Sequence, residues 1–154
     1  MAILRYLARK HGLIGESDEE IIKLDMAEQL TMELILSCAK VWYAKDEETF
    51  EQLKGELLNN LSVKLTQIAQ FIDENQYLIG DRVTYVDFML YSYLDYIRLF
   101  DSSIFEDENI SKINDYLSRI ESLPEIEKYL SSEDFSRFPI SGPMARFGSS
   151  KSSD

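Results

Sequence analysis

Apolar and polar positions along this chain recur with the 3.6-residue period of an α-helix over most of its length. One stretch departs from that pattern and organises the rest. Residues 83–100, VTYVDFMLYSYLDYIRLF, are apolar or aromatic nearly all round, with only Asp95 and Arg98 charged after the start. A helix apolar on every side belongs in an interior, and its charges make this one too polar to span a bilayer. It is therefore expected as the buried central helix of an all-α bundle. Thr84-Tyr85-Val86-Asp87 is a capping box at its start, which gives Thr84 and Asp87 a structural role.

The flanking segments read as amphipathic helices. Ala2 to His11 is a short one, with Ile3, Leu4 and Leu7 on one side and Arg5 and Arg9 on the other, ended by Gly12 and Gly15. About three turns long, it is marginal alone and has to dock on something. His11 sits at its end with no partner for a ligand set. A second box, Ser17-Asp18-Glu19-Glu20, opens the longest helix, which runs to about Tyr43 with a broad apolar stripe from Ile21 and Leu24 to Trp42 and Tyr43. That stripe reads as core. Asp46 caps a third helix whose spacing Phe50, Leu53, Leu57, Leu61, Leu65, Ile68, Ile72 is the clearest in the chain, and the short joint makes it antiparallel to the second. After the central helix come an acidic loop, Asp101 to Glu108, a helix over Ile110 to Ile120, and a last one from Pro124 to about Leu130. The Ser-, Gly- and Pro-containing remainder reads as a tail, disordered over residues 148–154.

Composition narrows the function classes. The 154 residues carry 28 acidic and 16 basic side chains, a net charge of -12. Such a field repels phosphate backbones, so nucleic acid is not an expected partner. Residues 1–13 hold Arg5, Arg9 and Lys10 and no acid. A basic first helix thus faces an acidic body, in this chain or in a second copy. Cys38 is the single cysteine, which fits a reducing, cytoplasmic setting and a small buried apolar role. No signal peptide, membrane span, metal-ligand spacing, Gly-rich phosphate loop or serine-hydrolase elbow is recognised. Periodicity alone ends at an acidic helical domain.

Several stretches read together resemble the glutathione transferases, most closely the mu class and its helminth and arthropod relatives: MAILRYLARKHGLIGE, the Ala27-Glu28-Gln29 region, VWY at residues 41–43, YLIGDRVTYVDFMLYSYLD and RIESLPEIEKYLSSEDF. The resemblance implies the C-terminal helical domain of that family over residues 14–138, a tail over 139–154, and in residues 1–13 the last helix of a thioredoxin-like domain that would precede Met1. It also implies conjugation of glutathione, as co-substrate and without a cofactor or metal, to small hydrophobic electrophiles in detoxification. The assembly implied is a cytoplasmic homodimer. The catalytic tyrosine and the Gln-Ser pair that hold glutathione belong to the preceding domain, so the isolated chain is expected to be inactive. Its first helix, without that domain, is expected to leave an apolar patch at Ile3, Leu4 and Leu7 and to promote self-association.

Site residues follow from the same resemblance. Tyr43 matches the hydroxyl at the electrophile pocket that donates to developing oxygen charge. A neutral phenol on an apolar wall can do this without deprotonation. Met32, Ile35, Leu36 and Ala39 match the apolar wall, and Ser141 and Gly142 match tail positions closing the pocket, smaller than the aromatic often found there. Glu33 stands for an aspartate that reaches across the dimer to the amine of the other subunit's glutathione. Arg5 matches a dimer-contact arginine, with Asp25 and Glu28 as its acidic partners across the two-fold axis. The alternative is a non-catalytic helical module that binds hydrophobic ligands or a protein partner.

Overall fold

The computed structural model describes residues 1–72, 75–107 and 110–149. Among these residues six α-helices follow one another: α1 Ala2–Lys10, α2 Asp18–Trp42, α3 Glu47–Ile72, α4 Tyr85–Phe100, α5 Ser111–Glu121 and α6 Pro124–Leu130. Among the described residues there is no strand beyond one isolated bridge between Tyr77 and Gly80. No helix among them is long and apolar enough to cross a membrane. The fold is all-α, as the periodicity predicts.

Local chemistry explains the boundaries. Ser17 caps α2 by accepting from the Glu20 amide at 3.2 Å, and the Glu20 carboxylate accepts from the Glu16 amide at 2.7 Å. The Asp46 carboxylate accepts from the Thr49 amide at 2.8 Å and so caps α3. Pro124 stands in the first turn of α6, where its missing N–H costs nothing. The expected loop after α4 contains instead a 3-10 helix, Ser102–Glu106, because the Asp101 side chain accepts from the Ser103 amide and hydroxyl. The last residue of that predicted loop, Glu108, lies outside the described residues.

Helices α2 and α3 are antiparallel: Val41 near the end of α2 shares a groove with Leu53 and Leu57 near the start of α3. Met26 early in α2 stands beside Phe71 late in α3. Into the core pass Leu24, Ala27, Leu34, Cys38, Val41 and Trp42 from α2 and Leu57, Leu61, Leu65 and Ile68 from α3. Helix α4 packs on α2 with Val86, Leu90, Leu94 and Ile97 fully buried, and α5 packs against both α4 and α3 with Ile113, Tyr116, Leu117 and Ile120. The all-round burial expected of α4 is only partial, since Tyr91, Tyr93, Tyr96 and Phe100 are half-buried and Leu99 is exposed.

The start of α4 is the best-tied point of the fold. Asp87, fully buried, accepts from the Thr84 amide at 2.7 Å, the Thr84 hydroxyl at 2.6 Å, the Leu78 amide at 3.0 Å and the Tyr116 hydroxyl at 3.0 Å. The capping box therefore also anchors the preceding turn and α5. Farther along, Asp95 is buried against Arg98 and Arg137, and Arg98 also donates to Glu121 at 2.8 Å. The two charges that interrupt the central helix are thus paired with each other and with residues from α5 and the segment after α6.

Helix α1 docks through Ala8, buried, and Leu4, which packs against the core, while Ile3 is 77% exposed and Leu7 is exposed beside it. The patch expected at Ile3, Leu4 and Leu7 is therefore made by Ile3, Tyr6 and Leu7 instead. The tail also differs from expectation. Arg146 donates its amide to the Trp42 carbonyl at 2.7 Å and Nε to the Ala44 carbonyl at 2.8 Å, and the Phe147 ring lies 5.1 Å from that of Trp42. The Gly148 carbonyl accepts from the Ile140 and Ser141 amides, closing a strap over the end of α2. Gly148 has φ 70 and would place a Cβ 2.8 Å from that of Ile140, so only glycine closes the strap without strain. Residues 150–154, the rest of the expected disordered end, lie outside the described residues.

Candidate functional site

Two faces of α2 carry different chemistry. Leu24, Ala27, Glu28, Thr31, Leu34, Cys38 and Val41 recur every three or four residues and turn inward. Met32, Leu36, Ala39 and Tyr43 recur the same way about a third of a turn round, with Ile35 between the two rows, and form a separate apolar strip. Leu36 is 62% exposed and Tyr43 51%, while Met32, Ile35 and Ala39 are half-buried. The stripe read from the sequence as core is thus split, and its larger side chains Ile21, Met26, Leu36 and Tyr43 lie open.

Tyr43 ends α2, its amide donating to the Ala39 carbonyl at 3.0 Å. Its phenolic oxygen accepts from the Gly142 amide at 2.9 Å. A Cβ at position 142 would come within 3.2 Å of that oxygen, so glycine permits the approach. The strap thus brings Ser141 and Gly142 to Tyr43 across 99 positions of sequence. The accepted bond takes a lone pair of the oxygen and leaves the phenolic proton free for outward donation. The resemblance names Ser141 and Gly142 but not Arg146 and Phe147, which tie this segment to the end of α2. The Gly148 that permits the closure was the available signal.

Cys38, fully buried on the inward face, is no part of this chemistry: burial pushes its thiol up to about 12, with Lys64 pulling weakly the other way. It remains a protonated packing residue.

Glu33 lies on the surface of α2, with Lys64 of α3 at 3.6 Å from Oε2. Asp25 is exposed two turns earlier, beside Ile22, Met26 and Leu30. Glu28 is different. It is 1% exposed, and it accepts from Nε and Nη2 of Arg5 at 2.9 and 2.6 Å and from the Tyr85 hydroxyl. The pairing of Arg5 with Glu28, expected across a two-fold axis, is made within one chain. The physical reason is burial: a carboxylate this deep needs donors from its own fold, and the Arg5 fork supplies two. Burial alone would raise the Glu28 carboxyl, but the bonds from Arg5 and Tyr85 outweigh it and hold the group below its usual range. Burial, and next the bond to Glu28, push the Tyr85 phenol up to about 12.

Comparison with known proteins agrees with this arrangement. The family model of the glutathione S-transferase C-terminal domain matches residues 32–133. The class-mu 26 kDa glutathione S-transferase isozyme 51 of Fasciola hepatica is 38% identical over 148 residues, 96% of this chain and 66% of its own length. Glutathione S-transferase Mu 1 of Bos taurus is 36% identical over 147 residues, 96% of this chain and 65% of its own length. The chain therefore spans slightly less than two thirds of these relatives. Among solved structures, the glutathione S-transferase Blo t 8 superposes with a TM-score of 0.86 at 34% identity, covering 96% of this chain and 68% of that one. The pi-class enzyme of Onchocerca volvulus, 23% identical with a TM-score of 0.80 over 94% of this chain and 69% of its own, shares the fold. The chain belongs to the glutathione S-transferase family, carries its C-terminal domain, and has mu-class enzymes among its relatives.

Proposed function

We propose that this chain is the electrophile-binding and dimer-forming part of a mu-like glutathione transferase, which joins the thiolate of glutathione to small hydrophobic electrophiles in a cytoplasmic homodimer. Residues 14–138 form its helical domain, residues 1–13 the last helix of a thioredoxin-like unit, and 139–154 the tail that closes the pocket. The observation that supports this reading best is the Tyr43 hydroxyl, fixed by the Gly142 amide at the end of the open strip of Met32, Ile35, Leu36 and Ala39. An apolar wall holds the electrophile, and Tyr43 donates to the oxygen that gains charge as sulfur adds. Glu33 meets the amine of the other subunit's glutathione.

Kinetics of the full polypeptide test this. Tyr43→Phe is expected to lower kcat/KM about 10²-fold for an epoxide or enone, whose addition builds charge on oxygen. A chloronitrobenzene, which reacts by aromatic substitution, should be little affected. Equal losses on both substrate types would refute the donor role. The 154-residue chain alone is expected to conjugate glutathione to the chloronitrobenzene no faster than solution does, because the thiolate-holding residues belong to the preceding domain of the family. Turnover above that background would overturn this division of labour. The second reading, a non-catalytic ligand-binding or interaction module, is favoured by the open apolar side chains of Ile3, Tyr6 and Leu36. Binding of a hydrophobic ligand by the full polypeptide without glutathione turnover would select it.

A further inference from the structure

Glu33 and its neighbour on α3 are unequally restrained. The stem of Lys64 lies in the groove between α2 and α3 with Ser37, Val41, Leu57 and Asn60, and its side chain is 25% exposed, against 67% for Glu33. Its helix neighbours Leu61 and Leu65 are fully buried, so the backbone beneath it is pinned to the core. A lysine stem held in a groove delivers its ammonium to one place, whereas an exposed glutamate samples many rotamers. The resemblance places an aspartate at position 33, and the glutamate found here has one more torsion to fix.

We infer that Lys64 is a positioning residue, which holds Oε2 of Glu33 so that Oε1 stays open for the α-ammonium of a glutathione bound by the other subunit. The inference rests on the proposed glutathione contact of Glu33. Two oxygens with about four lone-pair sites accommodate both ammonium groups together. Lys64 touches neither the thiol nor the electrophile, so its effect falls on glutathione binding and leaves the chemical step alone. The pair is partly solvated, which limits the effect to a modest factor that salt reduces.

The test is steady-state kinetics of the full polypeptide with glutathione varied, for Lys64→Met, Lys64→Arg, Glu33→Gln and the Lys64→Met/Glu33→Gln double variant. Lys64→Met is expected to raise KM for glutathione about fivefold at unchanged kcat. Lys64→Arg should recover most of that loss. The effect should vanish in the Glu33→Gln background and with des-amino glutathione, which lacks the group that Glu33 would meet. If Glu33→Gln raises KM but Lys64→Met leaves it unchanged, Lys64 does not position and the Glu33 contact stands. If Lys64→Met lowers KM, the lysine competes with the ligand's ammonium and the inference is wrong. If Glu33→Gln has no effect, or the polypeptide conjugates no glutathione, both the contact and the inference fall. Should Lys64→Met lower the melting temperature, Lys64→Gln carries the same comparison.

Discussion

Replacing Asp87 with alanine is expected to remove roughly 3–5 kcal/mol of folding stability, a large part of the 5–15 kcal/mol typical of a domain. The carboxylate is fully buried and accepts from two backbone amides and two hydroxyls. Truncation leaves the Thr84 and Leu78 amides facing a gap, while the Tyr116 hydroxyl keeps only its longer bond, 3.2 Å, to the backbone carbonyl of position 87. Each unpaired buried donor costs about 1–3 kcal/mol, and the lost cap alone is worth about 1 kcal/mol. A partial offset exists, because burial pushes the Asp87 carboxyl up and its four donors only partly pull it back. Removing an incompletely compensated buried charge recovers some of that cost. Asp87→Asn should fall between wild type and alanine, since an amide keeps the shape but turns one acceptor into a donor. Urea unfolding measures both, with Glu125→Ala on the exposed start of α6 as the control. A midpoint for Asp87→Ala no lower than that control would show that the network is not what holds α4 in place.

The same residues show how far sequence carries. Thr84 and Asp87 are four positions of local sequence, and a capping box acts through neighbouring backbone atoms, so the start of α4 was legible without any tertiary knowledge. Ser17, Asp46 and Pro124 were legible for the same reason. The Leu78 and Tyr116 bonds were not, because they depend on a turn and a helix arriving from 9 and 29 positions away. Helix α2 shows the limit of periodicity. Its buried face includes Ala27, Thr31 and Cys38, while Met26, Leu36 and Tyr43 lie open. Hydrophobicity ranks those large residues as core, yet close helix packing selects small ones, and only the approach of α3 and α4 decides which row turns inward. The residues proposed for the site at 32–43, 141 and 142 come from the resemblance and not from any local pattern. The hold of Arg146 and Phe147 on the end of α2 links positions about a hundred residues apart, with no local pattern to announce it.

Arg5→Met is expected to cost about 2 kcal/mol at neutral pH, and the loss should not depend on protein concentration. Removing one partner of a buried ion pair costs about 3–5 kcal/mol, but the Arg5 side chain is 42% exposed, so water partly screens the interaction and the smaller figure applies. An arginine that paired across a two-fold axis would instead give a loss that fades as protein concentration rises, because dimerisation would be what weakened. The pH dependence supplies a second check. In wild type the Glu28 carboxyl is held below its usual range, so its contribution is present above the unfolded value of about 4.3 and disappears as pH falls through the folded one. Without Arg5 the Tyr85 hydroxyl remains, still protonated because its own value is about 12, but burial is now the stronger influence and raises the Glu28 carboxyl. The variant then gains relative stability by taking up a proton as pH falls. The gap between wild type and Arg5→Met should therefore be widest near pH 7 and narrow below about pH 5. Urea midpoints at pH 7 and pH 4.5 measure it, and a gap that stays constant would mean that Glu28 does not carry its charge in the folded chain. Arg5→Met combined with Glu28→Leu and Tyr85→Phe should recover most of the loss, since the apolar residues then leave neither a buried charge nor an orphaned Tyr85 hydroxyl to satisfy.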